Sequence, residues 1–402
     1  MAISKDNTNL TRSDNNLTLK RGRCYSPLQS QTQHPLEGHK EVDFLKRRRI
    51  SAPIFDLRKP DKRSYMKHKF VIAAALLTAA LGVAALSHSS AQTSKIRIAL
   101  LVKSLGNGFF EAANEGAQEA AKALGNVEVI YTGPTTATAE GQIEIINSLV
   151  AQKVDAIAIS ANDPTAVAVA TKRALERGVK VISFDSGVAA GGRLMHLNPS
   201  NTDLIGYKQI DMISKTLKGQ GGQIAVLSAT AQATNQNAWI AVMKDVLKRP
   251  EYKNLQLVEV AYGDDQSDKS YREALALFKK YPNLKGIIAP TTVGIAAAGK
   301  AVVDQKLVGK VFVTGLGLPS EMISYVKAGA VDTFAIWNPI DLGYSAVYLA
   351  YQFATNKAKG TAGEKIMMGR MGSITLDKNT EAAMAEPFVF DKTNIDKFAK
   401  IF

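Results

Sequence analysis

Beyond position 91 the chain carries one histidine, His196, and no cysteine. A zinc site needs three or four imidazole, thiolate or carboxylate ligands, so a site built on His or Cys is excluded there. His196 could serve a serine nucleophile, but no G-x-S-x-G elbow accompanies it, and a satisfied structural role is the expectation. Gly294 to Lys300 spells G-x-x-x-x-G-K. Ala301 then stands where a magnesium-binding hydroxyl is required, and Ile295-Ala296-Ala297-Ala298 is helix-forming. Gly106-Asn107-Gly108 begins like a dinucleotide fingerprint, yet Glu111 occupies the third glycine position. Paired carboxylates could hydrolyse a glycoside, and no pair stands out. The expectation is a binding protein, not an enzyme, with no metal and no cofactor.

What remains is a set of hydrogen-bonding and aromatic residues that each follow a short apolar run. It comprises Lys103, Asn107, Phe109 and Phe110, then Asp185, then Asn235, Gln236 and Trp239. Pro290 with Thr292, Leu316, and Trp337 with Asn338 complete it. Both tryptophans of the chain belong to this set. Planar amides, a carboxylate and an ammonium suit the hydroxyls of a sugar, and aromatic rings suit its C–H faces. The set contains no arginine, so nothing in it demands a phosphate. Structural alternatives exist for several members. One of the two Phe rings could be core, as could Trp239, and Asp185 could cap a turn. Trp337-Asn338-Pro339 could serve hinge geometry alone, the proline fitting a first helical turn.

These residues need a scaffold that brings strand ends together. Apolar, β-branched runs occur at 96–102, 127–131, 156–160, 179–184, 223–227, 255–262, 286–289, 311–314 and 333–336. Each pair is separated by enough residues for a crossover helix, as parallel strands require. Ala156-Ile157-Ala158-Ile159 and Gly286-Ile287-Ile288-Ala289 are continuously apolar, the mark of strands covered on both faces. Nine such units exceed one core and predict an α/β fold of two doubly wound parallel-sheet lobes, with a break near Leu197–Asn201. In open sheets of this kind ligands bind outside the carboxyl ends of the strands, where the set above falls.

The formal charge of +14 over 402 residues hints at nucleic acid, but its distribution opposes that. Residues 1–65 contribute +7, Lys67 and Lys69 add two, and 92–402 keep only +5. Nucleic-acid binding is therefore not expected. Met66-Lys67-His68-Lys69 is a basic start, 70–86 an apolar run, and Ser89 and Ala91 are the small residues before a cleavage point. Residues 66–91 are read as a signal peptide, with export to the periplasm. The mature chain is expected to begin near Gln92, and the polar 1–65 leader to be a disordered, spurious extension preceding a true start at Met66.

Three stretches carry a family resemblance: Gly108-Phe109-Phe110, Ser183-Phe184-Asp185-Ser186 and the closing Phe388-Val389-Phe390-Asp391-Lys392-Thr393-Asn394. They resemble the type I periplasmic sugar-binding proteins of ABC importers, which include ribose and autoinducer-2 binders. Gly315 to Met322 and Ile336 to Gly343 are most similar to the rhamnose-binding proteins. The resemblance implies a three-segment hinge. The N-terminal lobe would take 92–197 plus 338–371, and the C-terminal lobe 198–337 plus 372–402. It implies closure of a monomer on a sugar and delivery to a membrane permease. It also places ligand contacts on Lys103, Phe109, Phe110, Asp185, Gln236, Pro290 and Trp337. Autoinducer-2 binders have Asp-Gln where this chain has Asn235-Gln236, and Ala in place of Thr292. Ribose binders have Asp at Leu316 and Gln at Trp337. Those departures favour L-rhamnose over autoinducer-2 or a pentose. The same lobes occur in sugar-responsive transcriptional regulators, which need a DNA-binding motif where this chain has its apolar leader.

Overall fold

The computed structural model describes residues 95–402. The expectations for the leader at 1–65 and the signal peptide at 66–91 fall outside the described residues. The first sheet is built from β1 (Ile96–Leu101), β2 (Val127–Thr132), β3 (Ala156–Ile159), β4 (Lys180–Phe184), β5 (His196–Asn198) and β13 (Glu381–Ala383). Their order is β13-β5-β4-β3-β1-β2, all parallel. Strand β1 shows why its sequence is apolar throughout. Ile98 and Leu100 pack into one core and Ala99 and Leu101 into another, so both faces are covered. Helices α1 (Gly108–Leu124) and α9 (Pro339–Ala354) cover one face; α2 (Ala139–Ala151) and α3 (Ala168–Glu176) cover the other.

The second sheet has β6 (Gly222–Ser228), β7 (Leu255–Tyr262), β8 (Leu284–Ala289) and β9 (Phe312–Gly315) in the order β7-β6-β8-β9. Parallel bridges from Val313 to Val331 and from Leu316 to Ala335 extend it to β10 (Phe334–Ile336). β10 in turn pairs antiparallel with β14 (Phe388–Phe390). Its helices are α4 (Thr202–Thr216), α5 (Thr234–Val246), α6 (Ser267–Lys280), α7 (Thr292–Asp304), α8 (Pro319–Ala328) and the short α10 (Ile395–Phe398). A hairpin of β11 (Lys365–Met367) and β12 (Ser373–Thr375) precedes β13.

All nine predicted runs are strands, with ends differing by one or two residues. The chain passes between sheets three times: after β5, after β10 and after β13. One boundary moves. Because β13 pairs with β5, residues up to Ala383 belong with the first sheet, and the third crossing lies between Ala383 and Phe388 instead of at 371/372. The G-x-x-x-x-G-K stretch is helical within α7, with Gly294 buried and Lys300 paired to Asp304 four residues on. Its amides therefore satisfy the helix and form no phosphate nest. Among the described residues no helix is long and apolar enough to cross a membrane.

Candidate functional site

The carboxyl ends of both sheets converge on one cavity. The strands deliver the side chains as predicted for open α/β sheets. Lys103 follows β1, Asp185 follows β4, and Asn235, Gln236 and Trp239 lie on α5 after β6. Pro290 and Thr292 follow β8, Leu316 follows β9 and Trp337 follows β10. Asn107, Phe109 and Phe110 enter from the start of α1. Of the thirteen predicted residues only Asn338 is absent from the lining. It caps α9, its Oδ1 accepting from the Ile340 amide at 3.0 Å, while Pro339 takes the first helical position. Sequence reasoning missed Asp265 and Ile336 as lining residues, and Thr291, between Pro290 and Thr292 at the end of β8, lines the cavity too. Asp265 follows β7, so the strand-end rule applied to that strand would have found it.

The polar part of the wall is a closed set of contacts centred on Asp185. This residue holds a left-handed backbone with φ of 56°, a conformation costly for a residue with a Cβ and common at functional sites. Its Oδ2 accepts from Ser160 Oγ at 2.8 Å and lies 3.6 Å from Lys103 Nζ. Its Oδ1 accepts from Asn235 Nδ2 at 2.9 Å. Lys103 also donates to Asn235 Oδ1 at 3.5 Å. Lys103 and Asp185 are each 5% exposed, so the charges are removed from water as a pair. Asn235 comes from the second lobe, and its bond to Asp185 is a direct clasp between lobes.

Gln236 is used asymmetrically. Its Oε1 accepts from Ser228 Oγ at 2.6 Å and from the Ala229 amide at 2.8 Å. Holding the oxygen that way fixes the amide and leaves its NH2 as the donating end. Gln142, fully buried on α2, does the equivalent work for the first lobe. Its Nε2 donates to the carbonyls of Val102 and Ser160 at 3.0 and 2.8 Å. It thereby bridges the ends of β1 and β3 from which Lys103 and Ser160 project. Asn162 extends this support, donating to the Lys103 carbonyl at 2.9 Å.

The apolar part of the wall is an aromatic train. Phe109 meets Phe110 edge-on at 5.2 Å between centroids and meets Trp337 at 6.2 Å. Trp239 meets Trp337 at 5.8 Å. Leu316, bridged to Ala335, lies beside Ile336 and Trp337 and is 3% exposed. The buried Trp337 indole N–H has no hydrogen-bond partner among the described residues. A buried unpaired donor costs free energy, which a ligand oxygen would recover.

His196 sits outside this cavity and is satisfied on both nitrogens, as expected. Nε2 lies 3.1 Å from Asn198 Oδ1, which can only accept, so Nε2 carries the proton. Nδ1 then accepts from the buried Ser183 Oγ at 2.9 Å. Burial and the nearby Arg193 cation push its pKa down to about 4, so it is neutral near pH 7. Among the described residues no group of three His, Cys, Asp or Glu side chains is placed to hold a metal ion.

This arrangement of two lobes and an interlobe cavity agrees with comparison to known proteins. A family described as periplasmic binding protein domain matches residues 98–358, more than half of the chain. The chain belongs to the periplasmic binding protein family. An ABC transporter solute-binding protein from Clostridium phytofermentas, solved with bound L-rhamnose, is 38% identical. It superposes with a TM-score of 0.74 over 77% of this chain and 99% of its own. A sugar ABC transporter protein from Actinomyces odontolyticus is 40% identical, with a TM-score of 0.61 over 75% and 97% of the two chains. The D-ribose/D-allose-binding protein of Pseudomonas aeruginosa is 28% identical over 281 residues, covering 66% of this chain and 86% of the relative. The fold is that of a type I periplasmic binding protein, with two parallel-sheet lobes.

Proposed function

We propose that the chain captures a deoxyhexose, L-rhamnose, between its lobes and delivers it to the permease of an ABC importer. The observation that carries this is the division of one cavity into a hydroxyl-binding wall and an apolar wall. Lys103, Asp185, Asn235 and Gln236 form the first; Leu316, Ile336, Trp337 and Phe109 form the second. A 6-deoxy sugar presents hydroxyls on part of its ring and a methyl where other hexoses carry a hydroxymethyl group. Leu316 leaves no polar group unpaired against that methyl, whereas an acceptor there would be penalised. The rhamnose-bound relative supports the same choice.

Capture works by population shift. The sugar binds both lobes, so it favours the closed arrangement by its extra contacts there. The reading includes secretion to the periplasm through cleavage of 66–91, and no turnover of the sugar. Calorimetry with L-rhamnose, D-ribose, D-allose and autoinducer-2 tests it. Tight binding of L-rhamnose is expected; no heat with L-rhamnose and strong heat with another sugar overturns the choice. A chromogenic rhamnoside is expected to stay intact, and its hydrolysis would argue for a glycosidase.

A further inference from the structure

We infer that Asp265 is a specificity-determining residue, a second ligand carboxylate that the C-terminal lobe sets against one hydroxyl of the sugar. This rests on the sugar-binding reading above. Two carboxylates line the cavity, Asp185 and Asp265, and the protein engages them unequally. Ionised Asp has about four acceptor positions. Asp185 already meets three protein groups, Asn235 on one oxygen and Ser160 and the Lys103 ammonium on the other, which leaves it little room for a ligand. Asp265 also lines the cavity. Its Oδ1 accepts from Thr291 Oγ1, and among the described residues no donor reaches Oδ2. The carboxylate with the greater open capacity is therefore Asp265, with one protein donor against the three groups around Asp185.

Its surroundings hold it in that position. Asp264 and Asp265 both have left-handed backbones, φ of 54° and 52°, in the turn between β7 and α6. Each costs about 1 kcal/mol relative to ordinary backbone. The turn divides the pair. Asp264 Oδ2 binds Lys269 Nζ at 2.5 Å, while Asp265 enters the cavity wall. Thr291 stands at the N-cap of α7 yet makes no capping bond, and its hydroxyl donates to Asp265 instead. An N-cap threonine normally stabilises its helix by about 1 kcal/mol, so forgoing that cap for a cavity carboxylate marks the contact as selected for the cavity. Burial drives the Asp265 carboxyl above the usual carboxylate range, with Lys103 and Thr291 opposing the rise and Asp185 adding to it. A sugar hydroxyl donated to the open oxygen would relieve that penalty.

The consequence is a requirement on the ligand. Its hydroxyls must meet an acceptor in the second lobe as well as the polar cluster around Asp185 in the first. A monosaccharide lacking the hydroxyl that faces Asp265 would leave the open oxygen of a half-buried carboxylate without a donor.

The test is calorimetry of the unaltered protein and of Asp265→Asn with L-rhamnose and its monodeoxy analogues, each lacking one hydroxyl. Asp265→Asn is expected to weaken L-rhamnose binding roughly 10- to 100-fold. One analogue should lose a similar factor against the unaltered protein and little further against the variant. Asp265→Gly, which suits the left-handed backbone, should show the same pattern and guards against a folding defect in the first variant. Unchanged affinity in both variants overturns the assignment. So does a loss that is uniform across all analogues, which would make Asp265 a structural residue. If the unaltered protein binds none of the sugars, the sugar reading itself fails and takes this role with it.

Discussion

At the scale of single residues, Asp185 and His196 illustrate opposite uses of burial. Asp185 lies in a dry wall with both oxygens against protein donors and Lys103. Truncating it strands the ammonium of Lys103 without its partner and removes an acceptor from the cavity. Asp185→Ala should therefore cost about 1.5–3 kcal/mol of sugar binding, read by calorimetry; unchanged affinity would make Asp185 purely structural. His196 is instead buried neutral, its pKa lowered to about 4. The unfolded chain takes up a proton below about pH 6.5 that the folded chain refuses. Stability from this group is thus complete above the unfolded pKa and is lost as pH falls from about 6.5 toward 4. The full loss is about 3 kcal/mol. Urea unfolding at pH 7 and pH 4.5 should show the acid deficit in the unaltered protein and a much smaller one in His196→Gln. An identical pH dependence in both would place the titration elsewhere.

At the scale of elements, the helix pair α1 and α9 carries the first lobe, and it depends on two glycines. A Cβ at Gly116 would come within 1.7 Å of the Ile340 carbonyl oxygen, and one at Gly343 within 1.8 Å of the Ala113 carbonyl oxygen. Backbone cannot yield as a side-chain tip can, so the helices must separate. Gly343→Ala should destabilise the protein by about 3 kcal/mol, measured by chemical denaturation. A change under 1 kcal/mol would show that the crossing is plastic. The same helix explains what was legible in the sequence. Ile336-Trp337-Asn338-Pro339 reads as a strand leading into a helix with Pro in its first turn, and the structure has both; Asn338, expected at the ligand, caps that helix instead and does not line the cavity. Long strands were legible because burial on both faces demands an unbroken apolar run. Strands β5, β11, β12, β13 and β14 have three residues each, and His196, Lys365 and Glu381 place a polar residue in three of them. Runs of three residues are too short to show a period, even the apolar Phe388-Val389-Phe390 of β14, and the boundary near 371 was misplaced with them. For Asp265 the strand-end rule points to the turn after β7, but which of Asp264 and Asp265 enters the cavity is set by two left-handed residues that no pattern of polarity reveals.

At the scale of the whole molecule, the question is what the closed arrangement gains when a sugar enters. The lobes are joined across the cavity by Asn235, whose Nδ2 donates to Asp185 Oδ1 at 2.9 Å and whose Oδ1 accepts from Lys103 at 3.5 Å and Ser186 Oγ at 3.4 Å. Thr234 adds a bond to the Gly187 carbonyl at 3.4 Å. A ligand can shift the equilibrium only by the contacts it makes in one state and not in the other. The clasp therefore sets the baseline from which a sugar works. Asn235→Asp would put a second carboxylate oxygen against Asp185, near the 2.9 Å now spanned by a hydrogen bond. At that separation like charges oppose closure, with Lys103 as the sole neutralising cation in the cluster. Sugar affinity should fall at least about 10-fold at pH 7.5, since loss of a charge-assisted bond alone is worth that much. It should recover toward pH 5, where the pair can take up a proton. Asn235→Leu removes the bond without adding charge, so its loss should not depend on pH. Both tryptophans of the chain line the cavity, so intrinsic fluorescence reads closure directly, without a label. Equal, pH-independent losses in the two variants would mean that Asn235 acts through packing and that the interlobe clasp is not electrostatic.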